Sequence, residues 1–212
     1  MLKLYYANIE QLYDENVFEA LFEKVNTQRR EKILRCKNEN DKHRSLLAGY
    51  LLRVALESEG MKYEDMLFSV EETGKPFIQN APFIHYSLSH AGNYAVCLIS
   101  DCSVGVDIET KTKKVFEHEE QLENIARKIL SEEEYEAFGH CINDKKAEIF
   151  LQFWTRKECY SKADGRGLGI GLNQVDTRND KFFSKWLDTD VYLSIYVEDG
   201  NFTDLQIEEV RV

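Results

Sequence analysis

The segment FWTRKECYSK at residues 153–162, followed by glycines at 165, 167, 169 and 171, decides how the whole chain is interpreted. Apolar residues recur there and just upstream at mostly helical spacing, at Ile149, Phe153, Trp154 and Tyr160, and predict a helix over about residues 145–164. Gly165 is expected to end this helix because glycine readily adopts the left-handed conformation of a helix terminus. Residues four apart share one helix face, so Glu158 and Lys162 are predicted to be neighbours. On its own, such a pair indicates no more than a solvent-exposed ion pair.

A second acidic element lies upstream, in VGVDIE at residues 104–109, whose β-branched, alternating pattern predicts a strand. Alternation places Asp107 and Glu109 on one face of this strand and Ile108 on the other. Two carboxylates on one face fit either an exposed strand edge or a cation site. Their hard oxygens are ligands that Mg²⁺ prefers, and Glu158 on a helix would add a third carboxylate.

The two motifs together, GVDIE at 105–109 and WTRKECYSK at 154–162, resemble the paired signature of the 4′-phosphopantetheinyl transferases. Length and motif order resemble the double-length, surfactin-synthetase-activating type and not the short trimeric holo-carrier-protein synthase type. Further similar segments are HR at 43–44, GKP at 74–76 and SLSHAG at 87–92, so the resemblance spans about residues 29–172.

The resemblance implies an α+β fold of two similar lobes related by a pseudo-twofold axis, with the cofactor site between them. We expect an N-terminal lobe at residues 1–103 and a C-terminal lobe, carrying DIE and WTRKECYSK, at 104–212. Strands are predicted at 83–88 and 94–99 around a loop at 89–93, and again at 191–197 and 205–210. The glycine stretch after the signature helix is interpreted as a helix stop and hinge, because a Walker phosphate loop precedes its helix.

By the same resemblance, the protein transfers 4′-phosphopantetheine from coenzyme A to a serine of an apo acyl or peptidyl carrier protein, releasing adenosine 3′,5′-bisphosphate. Asp107, Glu109 and Glu158 would hold Mg²⁺, with Mn²⁺ as an alternative, against the pyrophosphate. Glu158 is the candidate to accept the serine proton, directly or through water, and Lys162 the candidate to stabilise the departing phosphate. Lys157 is expected to help hold the phosphates. The three carboxylates should repel one another without metal, so Asp107→Asn is expected to melt no lower than the wild type in chelator.

The family pattern also implies contacts to coenzyme A. It places Ser89 and His90 at the adenosine 3′-phosphate and Lys75 at other coenzyme A phosphates. Arg44, in the His-Arg match, is expected to join this basic set. Arg29 and Lys32 are further candidates, although neighbouring bases compete for the same role, at Arg30, Arg35 and Lys37.

Two other functions fit the same residues. A metal-dependent phosphohydrolase acting on nucleotides would use the same acids and bases with water as the acceptor. A non-catalytic module that binds coenzyme A or a carrier protein would need fewer of the four residues Asp107, Glu109, Glu158 and Lys162. The carrier could belong to fatty acid, polyketide or peptide synthesis.

Charge, cysteine spacing and hydropathy limit which other functions and locations fit the sequence. The net charge of −11 argues against nucleic acid as the main partner, while residues 29–44 hold seven lysines and arginines against three acids and suggest a small anionic ligand. The five cysteines show no metal-binding or redox spacing, so reduced thiols are expected. Nothing near residue 1 resembles a signal peptide and no apolar run approaches membrane-spanning length, so we expect a cytoplasmic monomer that does not contact membranes.

Overall fold

The computed structural model describes residues 1–111, 119–167 and 171–212. It is an α+β protein. The first half contains strand β1 (Leu2–Asn8), helices α1 (Glu15–Phe22), α2 (Thr27–Leu34) and α3 (Glu39–Ser58), and strands β2 (Phe68–Val70), β3 (Pro76–Ile78), β4 (His85–Ala91) and β5 (Tyr94–Ser100). The second half contains β6 (Val104–Thr110), α4 (Glu119–Ile129), α5 (Glu132–Gly139), α6 (Asn143–Asp164), β7 (Phe182–Trp186), β8 (Val191–Val197) and β9 (Leu205–Glu209).

The strands of the described ranges form three sheets. Their orders are β4-β5-β1-β9, β2-β3 and β6-β8-β7. The strands predicted near the C-terminus are present as β8 and β9, but they belong to different sheets. β9 runs parallel to β1, with Leu205 opposite Leu2, and so crosses the division expected between residues 103 and 104. That division itself falls between β5 and β6 and stays a prediction.

The first sheet is covered on one face by α3. Ten residues of this helix are buried. Seven of them, including Leu47, Leu51 and Ala55, belong to one hydrophobic cluster with Ala95, Cys97 and Ile99 of β5. The other face of β5 and β1 packs against Val104, Val106 and Ile108 of β6. Alternation therefore directs the remaining residues of β6 away from this core, as the sequence predicts.

Those remaining β6 residues face α6, the helix that carries the signature. A Cβ added to Gly105 would lie 1.7 Å from the carbonyl oxygen of Cys159, so the strand and the helix approach as closely as only glycine allows. Asp107 shares the Gly105 face of β6. The close approach therefore brings its carboxylate next to the turn of α6 between Glu158 and Lys162.

The predicted helix ends where expected. α6 ends at Asp164, and Gly165 has φ +89° in the left-handed region, with its amide bonded to the Ser161 carbonyl. The interpretation of Gly165 as a helix stop is confirmed. The rest of the predicted hinge, at 168–170, lies outside the described residues.

One predicted loop is wrong. β4 continues through Ser89 and His90, which pair with Val96 and Ala95 of β5, and the chain turns at Gly92 and Asn93. Gly92 supplies the positive φ of +55° that this tight turn uses. As for membranes, none of the helices in the described ranges combines the length and the apolar character needed to span one.

Candidate active site

A cavity of about 610 Å³ lies where α2, β4, α6 and the turn before β3 meet. Seven of the residues proposed from the sequence line it, namely Arg29, Lys32, Lys75, Ser89, His90, Glu158 and Lys162. The signature helix contributes the last two, and four of the others carry or can carry positive charge. The cavity therefore places carboxylate and ammonium groups around a space large enough for part of a nucleotide-sized ligand.

Two cations of α2 reach this cavity without an acidic partner. In the described part of the chain, no carboxylate pairs with Arg29 or Lys32. Burial lowers the pKa of both groups, and the nearby Arg29 and Lys162 lower that of Lys32 further. Two neighbouring positive charges, on the half-buried Arg29 and the exposed Lys32, favour an anionic ligand, because it would supply a countercharge.

The structure also distinguishes Arg29 and Lys32 from the neighbouring basic residues that were candidates for the same phosphate-binding role. Arg30 donates to the backbone carbonyls of Glu23 and Val25, and Arg35 pairs with Glu31 on the surface of α2. Neither lines the cavity. Helical geometry explains the choice, since residues 29 and 32 are three apart and share one face of α2.

His90 and Arg44 lie at one end of the basic set. Partial desolvation lowers the pKa of His90, and the charges of Arg44, Lys32 and Lys162 lower it further. Arg44 donates to the Gly92 carbonyl at 2.8 Å and pairs with Asp41, so it also holds the β4–β5 turn against α3. Arg44 does not line the cavity itself, although its charge acts on His90.

Lys75 lines the cavity but its ammonium is already engaged. It donates to the Ser103 hydroxyl at 3.1 Å and to the carbonyl of Ala163, in the last turn of α6. A cation at a helix C-terminus satisfies a carbonyl that has no partner within the helix and complements the helix dipole. Lys75 therefore ties the turn before β3 to the end of the signature helix, and a phosphate would have to compete with these carbonyl and hydroxyl acceptors.

Asp107 and Lys162 form the centre of the site. The Asp107 Oδ1 atom accepts from Lys162 Nζ at 2.7 Å and from the Ser89 hydroxyl at 2.8 Å. Lys162 also donates to the Val106 carbonyl at 3.0 Å. The Lys162 side chain thus crosses from α6 to β6, and it is not a solvent-exposed helix residue.

Glu158 and Glu109 complete the predicted acidic set. Glu158 is half-buried and lines the cavity, and Glu109 lies two residues beyond Asp107 on the same face of β6. Among the described residues, however, no group of three or more His, Cys, Asp or Glu side chains is arranged to hold a metal ion. The expected three-carboxylate cluster is therefore not preassembled, and Asp107 is paired with a lysine instead.

Lys157 lies in the core, away from the cavity. Its side chain is 0% exposed, and its ammonium pairs with Glu134 Oε2 at 2.6 Å and donates to the carbonyls of Leu172 and Val175. All three of its N–H groups are satisfied in the core. This geometry does not favour the prediction that Lys157 holds coenzyme A phosphates, because one residue of helix rotation turns it away from the cavity that Glu158 lines.

Four cavity residues were not singled out from the sequence: Ala48, Thr73, Tyr86 and Ser161. Ser161 lies three residues after Glu158, so the helical face shared with Glu158 and Lys162 was a signal for it. Tyr86 is a buried strand residue whose pKa is raised by burial, and the pattern of β4 alone did not distinguish it from a core residue.

The Asp107–Lys162 pair reverses the stability expectation for Asp107→Asn. Asparagine would leave the partly buried Lys162 ammonium without its countercharge, and losing a hydrogen bond to a charged group costs about 1.5–3 kcal/mol. In chelator and without ligand, we expect Asp107→Asn to melt on the order of 3–10 °C below the wild type by differential scanning fluorimetry. Asp180→Asn, at an exposed carboxylate, is the control and should melt with the wild type. Equal melting of all three proteins would show that the ion pair is absent in solution.

The chain matches two family models that together cover most of it. Residues 103–208 match the 4′-phosphopantetheinyl transferase superfamily, and residues 14–102 match the 4′-phosphopantetheinyl transferase N-terminal family. The chain is 30% identical over 178 residues to 4′-phosphopantetheinyl transferase Sfp of Bacillus subtilis, covering 84% of this chain and 76% of that protein. It is 32% identical over 174 residues to 4′-phosphopantetheinyl transferase gsp of Aneurinibacillus migulanus, covering 82% and 70%. With both motifs on the facing surfaces of β6 and α6, this chain belongs to the 4′-phosphopantetheinyl transferase superfamily.

Proposed function

We propose that this enzyme transfers 4′-phosphopantetheine from coenzyme A to a serine hydroxyl of an apo acyl or peptidyl carrier protein. The observation that carries the proposal is the cavity that Arg29 and Lys32 line together with Glu158 and Lys162 of the family signature. Coenzyme A bears several phosphates, and among the described residues no carboxylate pairs with Arg29 or Lys32. In this proposal the nucleophile belongs to the carrier and not to this chain.

In the proposed reaction, the serine oxygen bonds to the phosphorus that carries the pantetheine arm. The bond from that phosphorus to the bridging oxygen breaks, and adenosine 3′,5′-bisphosphate leaves. Glu158, half-buried at the cavity wall, accepts the serine proton, directly or through a water. Lys162 lies beside Asp107 and offers positive charge to the departing phosphate. Arg29, Lys32 and His90 line the cavity and hold the remaining phosphates, and Arg44 adds positive charge beside His90.

A divalent cation fits the chemistry of the acidic residues. Asp107, Glu109 and Glu158 supply hard oxygen donors from the facing surfaces of β6 and α6, and Mg²⁺ usually takes few carboxylates and completes its shell with water and phosphate. When bound, Mg²⁺ or Mn²⁺ would neutralise charge that develops on the pyrophosphate. Since the described carboxylates are not preassembled, substrate phosphate would have to complete the site.

We also propose a lobe arrangement and an oligomeric state. The two family models meet at residues 102 and 103, which supports two similar lobes with the coenzyme A site between them. We propose that the protein works as a cytoplasmic monomer on a carrier protein. Gel filtration with light scattering tests the monomer directly, and a dimer mass would refute it.

The deciding experiment is transfer itself. The protein is incubated with coenzyme A, Mg²⁺ and apo acyl and peptidyl carriers, and intact masses are measured. A carrier mass increase equal to phosphopantetheine, abolished by replacing the carrier serine with alanine, supports the proposal. Phosphopantetheine released as free product without any carrier would favour the metal-dependent phosphohydrolase instead. Binding of coenzyme A with neither product would favour a non-catalytic module.

Arg29→Ala is expected to weaken coenzyme A binding. Losing a charged hydrogen bond of about 1.5–3 kcal/mol corresponds to a KM for coenzyme A raised about 10- to 100-fold, with a smaller change in kcat. The matched control is Arg35→Ala on the same helix, which loses only the exposed pair with Glu31. Initial rates at varied coenzyme A measure both. An equal effect of the two substitutions would contradict the assignment of Arg29 to the phosphate site.

A further inference from the structure

Two serines of β4 connect the sheet β4-β5-β1-β9 to the sheet β6-β8-β7. β4 and β6 are edge strands of their sheets. We call the contact between β4 and β6 the seam. Across it, Ser87 Oγ accepts from the Val106 amide at 3.1 Å and Ser89 Oγ accepts from the Ile108 amide at 3.3 Å. Both hydroxyls are buried, so they replace the backbone carbonyls that a continuous sheet would supply to these amides.

The two serines differ in one respect. Within the described residues, Ser89 also donates to Asp107 Oδ1 at 2.8 Å, a bond that Ser87 lacks. Lys162 donates to the same Oδ1 atom at 2.7 Å, and Asp107 Oδ2 accepts no hydrogen bond from this part of the chain. The Ser89 hydroxyl and the Lys162 ammonium therefore both bond to Oδ1, and they fix which of the two carboxylate oxygens faces them.

We propose that Ser89 is a positioning residue whose hydroxyl orients the Asp107 carboxylate, and that its side chain does not bind substrate phosphate. A hydroxyl has one proton to donate, and that of Ser89 is already given to a buried carboxylate. A charge-assisted bond of this kind is stronger than one between neutral groups. The seam between the sheets thereby also fixes the side chain on which the proposed cation site depends.

The kinetic test rests on the proposed transferase function and compares Ser89→Ala with Ser87→Ala. Each substitution removes one hydroxyl that accepts a β6 amide, but only Ser89→Ala also removes the hydrogen bond to the Asp107 carboxylate. We expect Ser89→Ala to lose at least 10-fold more kcat than Ser87→Ala, with its KM for coenzyme A raised less than about 3-fold. A rise in KM with kcat nearly retained would overturn the proposal and assign Ser89 to phosphate binding. Equal losses of kcat in the two variants would also overturn it.

A thermal test needs neither activity nor metal. In chelator, Ser89→Ala is expected to melt on the order of 3–10 °C below Ser87→Ala, because it loses a bond to a charged group in addition to the seam bond. In an Asp107→Ala background this difference should vanish, since the shared partner is gone. A difference that persists unchanged would show that Ser89 does not act through Asp107. If wild-type protein proved inactive on carriers, the transferase proposal would fail while this coupling remained measurable.

Where Ser89→Ala does not fold, Ser89→Thr keeps the hydroxyl on a side chain suited to a strand. It is expected to retain kcat within about 10-fold of the wild type, because both bonds of the hydroxyl can form. A folded Ser89→Thr protein with kcat as low as that of Ser89→Ala would count against the positioning role.

Discussion

Glu158→Gln is expected to lower kcat for carrier modification by about 10²- to 10⁴-fold, the usual contribution of a general base. Glutamine keeps the size and one oxygen of the side chain, but it can neither accept the serine proton nor supply a carboxylate to a cation. A 10³-fold loss corresponds to about 4 kcal/mol of lost transition-state stabilisation. The loss should appear in kcat, because the proposed phosphate contacts come from other residues, chiefly Arg29 and Lys32.

The matched control is Glu148→Gln, at a half-buried glutamate of the same helix that does not line the cavity. It should keep kcat within about 3-fold of the wild type, since substitutions away from a functional feature have small effects. Far-ultraviolet circular dichroism confirms that both variants fold. Wild-type turnover by Glu158→Gln would exclude Glu158 both as base and as essential metal ligand. A purely binding role would instead raise the KM for coenzyme A.

Lys157→Met is expected to cause the largest loss of stability. Lys157 and Glu134 are both 0% exposed and lie 2.6 Å apart, and removing one partner of a buried pair costs about 3–5 kcal/mol. Burial already lowers the pKa of Lys157, with Glu134 opposing that effect. For a chain of this size we expect a melting temperature lower by about 6–20 °C. Lys145→Met, at an exposed lysine of α6, should change it by no more than about 2 °C.

A double variant separates the unpaired charge from the lost packing. Lys157→Met with Glu134→Gln removes both charges and keeps an amide oxygen for the Thr177 amide, which donates to Glu134 at 2.7 Å. We expect the double variant to melt above the single Lys157→Met variant, because no uncompensated carboxylate remains buried. Identical melting of the two would contradict the buried ion pair. If Lys157 held coenzyme A phosphates, Lys157→Met would raise the KM without lowering the melting temperature.

The functional residues lie on elements whose local patterns are strong. The helical spacing around 153–162, the alternation in 104–109 and the glycine at 165 predict α6, β6 and the helix end, all of which are present. Helical and strand periods also place Glu158 with Lys162 and Asp107 with Glu109, because side-chain direction follows from backbone period. The sequence therefore determines by itself which residues share a face, and its two motifs determine the family.

Contacts between distant segments were decided only by the tertiary structure. Lysine is rarely buried, and Lys157 is buried because Glu134 and the carbonyls of Leu172 and Val175 converge on it from separate segments. Likewise, Asp107 finds its countercharge in Lys162, 55 positions along the chain, so the carboxylates do not face one another as a bare acidic cluster. Such partners depend on how β4, β6, α5 and α6 pack. The helical or strand periodicity of a single segment does not predict that packing.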